Sequence, residues 1–279
     1  MSLQVGTGKA SEANDLLTAF QRGRYDYQFF AQTFLGETLH DGQLKWITDA
    51  QATVNVLASS NRYGKTFLIP CGHFHACIYK TGAEQRYMTD EGVDIEKFIK
   101  LKYHTIHTAD GWETAALVWD EAHKLYRSRP ALAAFVPQGG APRSLPPHFD
   151  FINGSKWKFR TLGHDASGID GDSFYLISVD EAGWVASLEE KTRNVIRVRV
   201  ADVRGRIWFV GTFKPGISQD FYKAAVRASA YTGAAIGFDH RDDVDDQGVS
   251  GGLASSIKKY LRDFGIDLDE YADALKGEY

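Results

Sequence analysis

The sequence predicts an α/β fold, a mainly parallel central sheet flanked by helices, and three observations predict it. A β-branched apolar run, "TVNVLAS" (53–59), leads into Gly64-Lys65-Thr66 and then into a helix-like segment. A second apolar run, "FYLISV" (174–179), stops at Asp180-Glu181, and a third, "IWFV" (207–210), stops at Gly211-Thr212. Buried strands that each end in a polar cluster are the pattern of a parallel sheet whose ligands gather at the carboxyl ends of its strands.

The phosphate-loop reading begins with "SSNRYGKTFL" (59–68), which ends as G-x-x-x-x-G-K-[ST] does but has Ser59 where the pattern has its first glycine. Strand, tight loop and helix follow one another there as a P-loop requires. The loop from Ser60 through Asn61, Arg62, Tyr63 and Gly64 to Lys65, Thr66 and Phe67 is the expected cradle for the phosphates of ATP. In that setting Lys65 supplies a point charge, the Thr66 hydroxyl ligates Mg2+, and Gly64 lets the backbone approach without a Cβ. Next comes "CGHFHAC" (71–77), whose alternating Cys and His invite a metal reading. On a helix, Cys71 and His75 share one face while His73 and Cys77 share another, so packing is expected rather than a four-ligand site.

Two stretches compete to supply the acidic strand end that a P-loop ATPase needs. "AALVWDEAHKL" (115–125) spells the DEAH box of a helicase family. Yet Trp112, Ala116, Trp119, His123 and Tyr126 recur at helical spacing, and Asp120 precedes Lys124 by four residues, as on the surface of an amphipathic helix. "DSFYLISVDEAGW" (172–184) instead reads as a strand reached through the turn signal Gly171-Asp172-Ser173, with Asp180 and Glu181 at its end. Asp180 is the expected metal ligand and Glu181 the expected catalytic base. "GRIWFVGTFKPG" (205–216) supplies a third strand, after which Thr212 is placed to sense the γ-phosphate.

The rest of the chain constrains class more than mechanism. With 279 residues, 43% hydrophobic and 24% charged, it suits one large water-soluble α/β domain or two modest ones. No apolar run approaches the roughly 20 residues of a membrane span, and the N-terminus lacks a signal-peptide layout, so an intracellular protein is expected. Two cysteines exclude a disulfide framework. The net charge of −4 carries no global nucleic-acid signature. "RNVIRVRVADVRGR" is either a local basic patch or a solvated face of strands and turns. The acidic "DHRDDVDDQGVSGG" (239–252) reads as an exposed loop that sets apart a helix-like C-terminal stretch.

From about residue 25 onward these ordered motifs resemble the ATPase domain of the large terminase subunit, the DNA-packaging motor of tailed bacteriophages. The resemblance rests on "NRYGKT", a loop with Arg ahead of Gly-Lys-Thr in a family that often replaces the first glycine, on "VDEAG" and on "VGTFKPG". "KYHTIHTADGWETAALVWDEAHKLY" is similar to the family's strand and long helix after the loop, and "LKGEY" to its connection toward a nuclease domain. It implies a P-loop NTPase fold of the additional-catalytic-glutamate class, with ATP and Mg2+ as cofactors. Gln43, in "HDGQLKWI", looks like the family's adenine-reading glutamine. The implied layout is an N-terminal segment (1–24), an ATPase core (25–238), an acidic glycine-rich loop (239–252) and a C-terminal helical segment or linker (253–279), with no nuclease activity expected. Implied partners are double-stranded DNA, the portal protein, the small terminase subunit and further copies of the chain in a ring on the portal. The implied location is the cytoplasm of the infected bacterial host. One departure stands out, because Asp170 occupies the place of the arginine thought to reach a neighbouring subunit's ATP site. Arg62, Arg160, Arg193, Arg197 and Arg199 are the candidates for that charge, with salt-bridging in the fold as the alternative for each. A helicase-like translocase and a nucleotide-binding regulatory module are the rival functions.

Overall fold

The computed structural model describes residues 17–59, 62–89, 92–137, 142–163, 166–169, 171–212, 219–229 and 236–239. The expected segment 253–279 lies outside them, as do residues 1–16 and 240–252; Asp239, assigned above to the acidic loop, closes a strand.

β1 (Val54–Ser59) is followed by a detached antiparallel ribbon of β2 (Met88–Thr89) with β3 (Gly92–Val93). The main sheet continues with β4 (His104–Ala109), β5 (Arg143–Ser144), β6 (Pro147–Asp150), β7 (Lys156–Thr161), β8 (Leu176–Val179), β9 (Arg206–Gly211) and β10 (Ile236–Asp239). Its order is β10-β1-β9-β8-β4-β7-β6-β5. From β10 to β7 every pairing is parallel, and only the β7–β6 and β6–β5 pairings at one edge are antiparallel. Ser59, Ala109, Thr161, Val179, Gly211 and Asp239 therefore mark one rim, where the carboxyl ends of six strands emerge together.

Alternation along the strands splits the core into two layers. On one face, Leu57, Leu176, Trp208 and Val210 join α3 (Asp41–Asp49), α4 (Lys65–Tyr79) and α6 (Trp112–Ser128), preceded by the N-terminal α1 (17–25) and α2 (Tyr27–Phe30). The short α5 (Ile95–Lys100) and α7 (Pro130–Ala133) flank the same side through Phe98 and Leu132. On the other face, Val56, Ile106, Ile177, Ile207 and Phe209 pack on α8 (Leu188–Lys191), α9 (Arg197–Ala201) and α10 (Gln219–Ser229). Strands covered on both sides are apolar nearly throughout, which is why β1, β8 and β9 stand out in the sequence. No helix among the described residues is long and apolar enough to cross a membrane.

Three expectations change. The stretch 192–201 is helical, a π-turn (Thr192–Ile196) joining α8 to α9, rather than strands and turns. Its Arg-Val-Arg-Val alternation suggests a strand, but Ile196 and Val200, four apart, are the pair that bury. In α6 the buried stripe is Ala115, Val118, Trp119, Ala122 and Leu125, one position off the aromatic spacing, and Trp112 is exposed. Lys124 pairs with Glu121 at 3.2 Å instead of with Asp120.

"CGHFHAC" lies wholly buried in α4. His73 Nδ1 and Cys77 Sγ both meet Thr105 Oγ1, at 2.9 and 3.3 Å, whereas His75 Nε2 faces the carbonyls of Gly23 and Arg24, each at 3.1 Å. His73 Nε2 also meets Ser178 Oγ at 2.7 Å, and His107 Nδ1 reaches the same hydroxyl at 2.9 Å. This buried polar seam fastens α4 to β4 and to β8 two residues before Asp180.

Candidate active site

Ser59 is a regular strand residue paired with Asp239, not a position in the left-handed region. Nothing in its backbone demands glycine, which accounts for the broken motif. Tight turning falls instead on Arg62 (φ 69°) and Gly64 (φ 88°). A Cβ on Gly64 would stand 2.5 Å from Gln43 Nε2, so the loop closes directly onto α3. Ser60 and Asn61 lie outside the described residues.

Lys65 opens α4 and is 8% exposed. Its ammonium donates to the Ser59 carbonyl at 3.2 Å and to Thr212 Oγ1 at 3.1 Å, and the Thr212 hydroxyl donates to the same carbonyl at 3.0 Å. One cation thus joins the ends of the neighbouring strands β1 and β9. Lys65 and Thr66 sit in the first turn of α4, where helix amides lack intrahelical partners. The Phe67 N–H donates to the Gly64 carbonyl at 3.1 Å, and its ring packs against the core.

Asp180 follows β8 and is 5% exposed. Its N–H donates to the Thr108 carbonyl and its Oδ1 accepts the Glu181 N–H, both at 2.8 Å. Burial pushes its carboxyl up to about 6, against the Glu181 N–H and the Lys65 charge, which favour ionisation. Glu181 is half-buried with φ 46° and ψ 42°, a left-handed conformation rare for a side chain of this size. Strain of this kind persists where the surroundings over-determine it. They do so here: a Cβ on Gly211 would lie 2.9 Å from Ala182 N and 3.3 Å from the Glu181 carbonyl carbon. The glycine before Thr212 lets the end of β9 close on the turn that carries Glu181.

Gln43 is buried in α3. Its Oε1 accepts the His40 N–H at 3.1 Å and its Nε2 donates to the Tyr63 carbonyl at 3.0 Å. His40 Nδ1 accepts the Gln43 N–H at 3.3 Å, so Nε2 carries the proton and donates to Tyr63 O at 3.2 Å. The capping box of α3 therefore holds the phosphate loop by one carbonyl. Sequence reading missed His40, although H-x-x-Q before a helix is a capping-box spacing. A second amide proton and a second lone pair of Gln43 have no partner among the described residues.

The five arginines are sorted by their surroundings. Arg62 is exposed on the loop itself. Arg160 donates to the carbonyls of Phe159 (2.7 Å) and Pro147 (3.5 Å), toward β6 and away from β8. The Arg199 carbonyl accepts the Phe174 N–H, at the amino end of β8 and so on the opposite rim from Asp180. Arg193 is exposed, beside Asn194, and Arg197 is half-buried on the same helical run. Asp170 lies outside the described residues.

No family model matches the sequence, and no curated protein matches it. Among solved structures, the large terminase of bacteriophage HK97 is similar over 88% of this chain and 52% of its own, with a TM-score of 0.57 and 15% identity. The ATPase domain of the large terminase of Thermus phage P74-26 is similar over 77% of this chain and 81% of its own, with a TM-score of 0.50 and 15% identity. At such identity the likeness is one of fold: the chain shares the P-loop NTPase fold of large-terminase ATPase domains.

Proposed function

We propose that this chain is an ATP hydrolase and that its hydrolysis drives double-stranded viral DNA into a procapsid. The observation that carries the proposal is the rim contact in which Lys65 bonds both Ser59 and Thr212 beside the turn of Asp180 and Glu181. Three motifs far apart in sequence meet where an ATP phosphate chain would lie.

In this reading Lys65 and the first-turn amides of α4 hold the triphosphate, and Gln43 reads adenine with its spare donor and acceptor. Glu181 takes the proton of the attacking water, its strained backbone fixing the carboxylate on the rim. Thr212, released or retained by Lys65, reports the phosphate state to β9. Arg62 and Arg193 are the arginines best placed to meet negative charge in this chain or a neighbour. The donor set fits Mg2+: Thr66 offers a hydroxyl and Asp180 a buried carboxylate whose ionised form lacks a full counter-charge, both hard oxygen ligands. Bound there, Mg2+ would neutralise charge on the β- and γ-phosphates.

The likeness to terminases supports the further reading that DNA, the portal, the small subunit and a ring of copies are the partners, in the cytoplasm of an infected bacterium. The deciding experiment measures ATP hydrolysis by the chain with and without DNA and portal. Stimulation by both is expected of a motor; turnover indifferent to both defeats the packaging role, and no turnover in any condition defeats the enzyme.

A further inference from the structure

The same rim carries a cavity, about 680 Å³ in volume, beyond the acidic strand. It opens where β4 and β7 end, at Asp110 and Gly163, and is walled on the other side by Ser187, Glu190, Lys191 and Asn194. Lys191 is 6% exposed, yet among the described residues its ammonium makes no hydrogen bond, and Asp110 Oδ1, at 3.9 Å, is its one carboxylate neighbour. An ammonium has three protons to donate, and here none of them finds a protein acceptor among the described residues that line the cavity. The site calls for a ligand that brings acceptor oxygens.

The carboxylates narrow the choice. Asp110 and Glu190 only accept hydrogen bonds when ionised and repel a purely accepting anion such as sulfate or a phosphodiester. Orthophosphate at neutral pH is different, because it keeps at least one P–O–H while its other oxygens accept. It can donate to Asp110 or Glu190 while Lys191, Ser187 and Asn194 donate to it. Strands in a sheet lie about 4.8 Å apart, and β4 adjoins β8, so the cavity is one to two strand spacings from the Asp180–Glu181 turn.

We propose that this cavity is a holding site for inorganic phosphate, selected over sulfate and phosphodiesters by buried Lys191 set among the carboxylates of Asp110 and Glu190. That the phosphate comes from ATP rests on the function proposed above; the site itself does not.

The test titrates the full chain, saturated with ADP, with inorganic phosphate followed by phosphorus NMR, and repeats it with sulfate and with dimethyl phosphate. Saturable phosphate binding is expected, at least tenfold tighter than either analogue, unchanged in Lys65→Ala and weakened at least tenfold in Lys191→Met and Lys191→Gln. Asp110→Asn, at a side chain 55% exposed, should gain sulfate binding, a gain that misfolding cannot produce. Phosphate binding lost with Lys65→Ala, insensitive to Lys191, or matched by sulfate overturns the site. A chain that binds phosphate in this way but hydrolyses no ATP leaves the site standing and removes the proposed function.

Discussion

The dipeptide Asp-Glu occurs twice in motif-like settings, and the two copies have little else in common. Asp120 and Glu121 lie on α6, where Asp120 is exposed and Glu121 pairs with Lys124 as helix neighbours do. Asp180 and Glu181 end a strand buried on both faces, where the aspartate carboxyl is pushed up to about 6 and the glutamate backbone is held left-handed. "DEAH" is the better string, while "VDEA" has the better environment. The proposed function uses the second, because a carboxylate at a parallel-sheet rim is desolvated, fixed and close to the Lys65 loop, whereas one on a helix surface is screened by water.

The comparison can be broken most directly at Glu181. Glu181→Gln should still bind ATP while hydrolysis falls by at least about 100-fold, measured as phosphate release against nucleotide affinity. Wild-type turnover there would return the DEAH string to candidacy. Next in size is Gly211→Ala, whose added methyl cannot fit against Ala182 N. It should reduce hydrolysis roughly tenfold or more and lower the melting temperature, with nucleotide affinity affected less.

Acid sharpens the contrast from beneath, since Ser178, two residues before Asp180, is held by His73 and His107. Burial drives His75 and His107 down to about 3 and His73 lower than its usual value. The unfolded chain, with ordinary histidines near 6.5, binds more protons below that pH, so stability present above pH 6.5 is lost as pH falls toward 3. By pH 5, His75 and His107 together should remove about 4 kcal/mol, read as a fall in denaturation midpoint. A flat profile from pH 7 to 5 would mean that these rings titrate normally and the seam is open to water. A smaller effect is expected of His40→Ala, which frees the Tyr63 carbonyl from one donor and uncaps α3. Nucleotide affinity should drop several-fold with a stability loss of about 1 kcal/mol, and His40→Asn should recover most of the cap. Smallest of all is Glu121→Gln, expected within about twofold of wild type in turnover and within about 0.5 kcal/mol in stability.

Legibility in the sequence followed burial. β1, β8 and β9 are readable because each is covered on both faces and so apolar throughout. β7 was missed although "KWKFRT" alternates cleanly, with Trp157 and Phe159 inward. β10 is four residues long and gives no periodicity to read. The helix at 192–201 was misread because valine favours strands and the alternation mimicked one. Within the candidate site, Lys65, Asp180, Glu181 and Thr212 are proposed from their order along the chain, and the structure places them on one rim of the sheet. The group that joins Lys65 to Thr212 is not legible there, since the Ser59 carbonyl is a backbone atom that every residue has.

The Lys65 contact also sets a competition. The ammonium that would grip a phosphate is the one that ties the ends of β1 and β9 together through Ser59 and Thr212. In the proposed function, a phosphate that draws Lys65 outward would cost Ser59 and Thr212 its bonds and leave the Thr212 hydroxyl on the Ser59 carbonyl, 3.0 Å away. What would change between the empty and the occupied loop is then the partner of one hydroxyl at the end of β9, while the β1–β9 ladder beneath it stays paired.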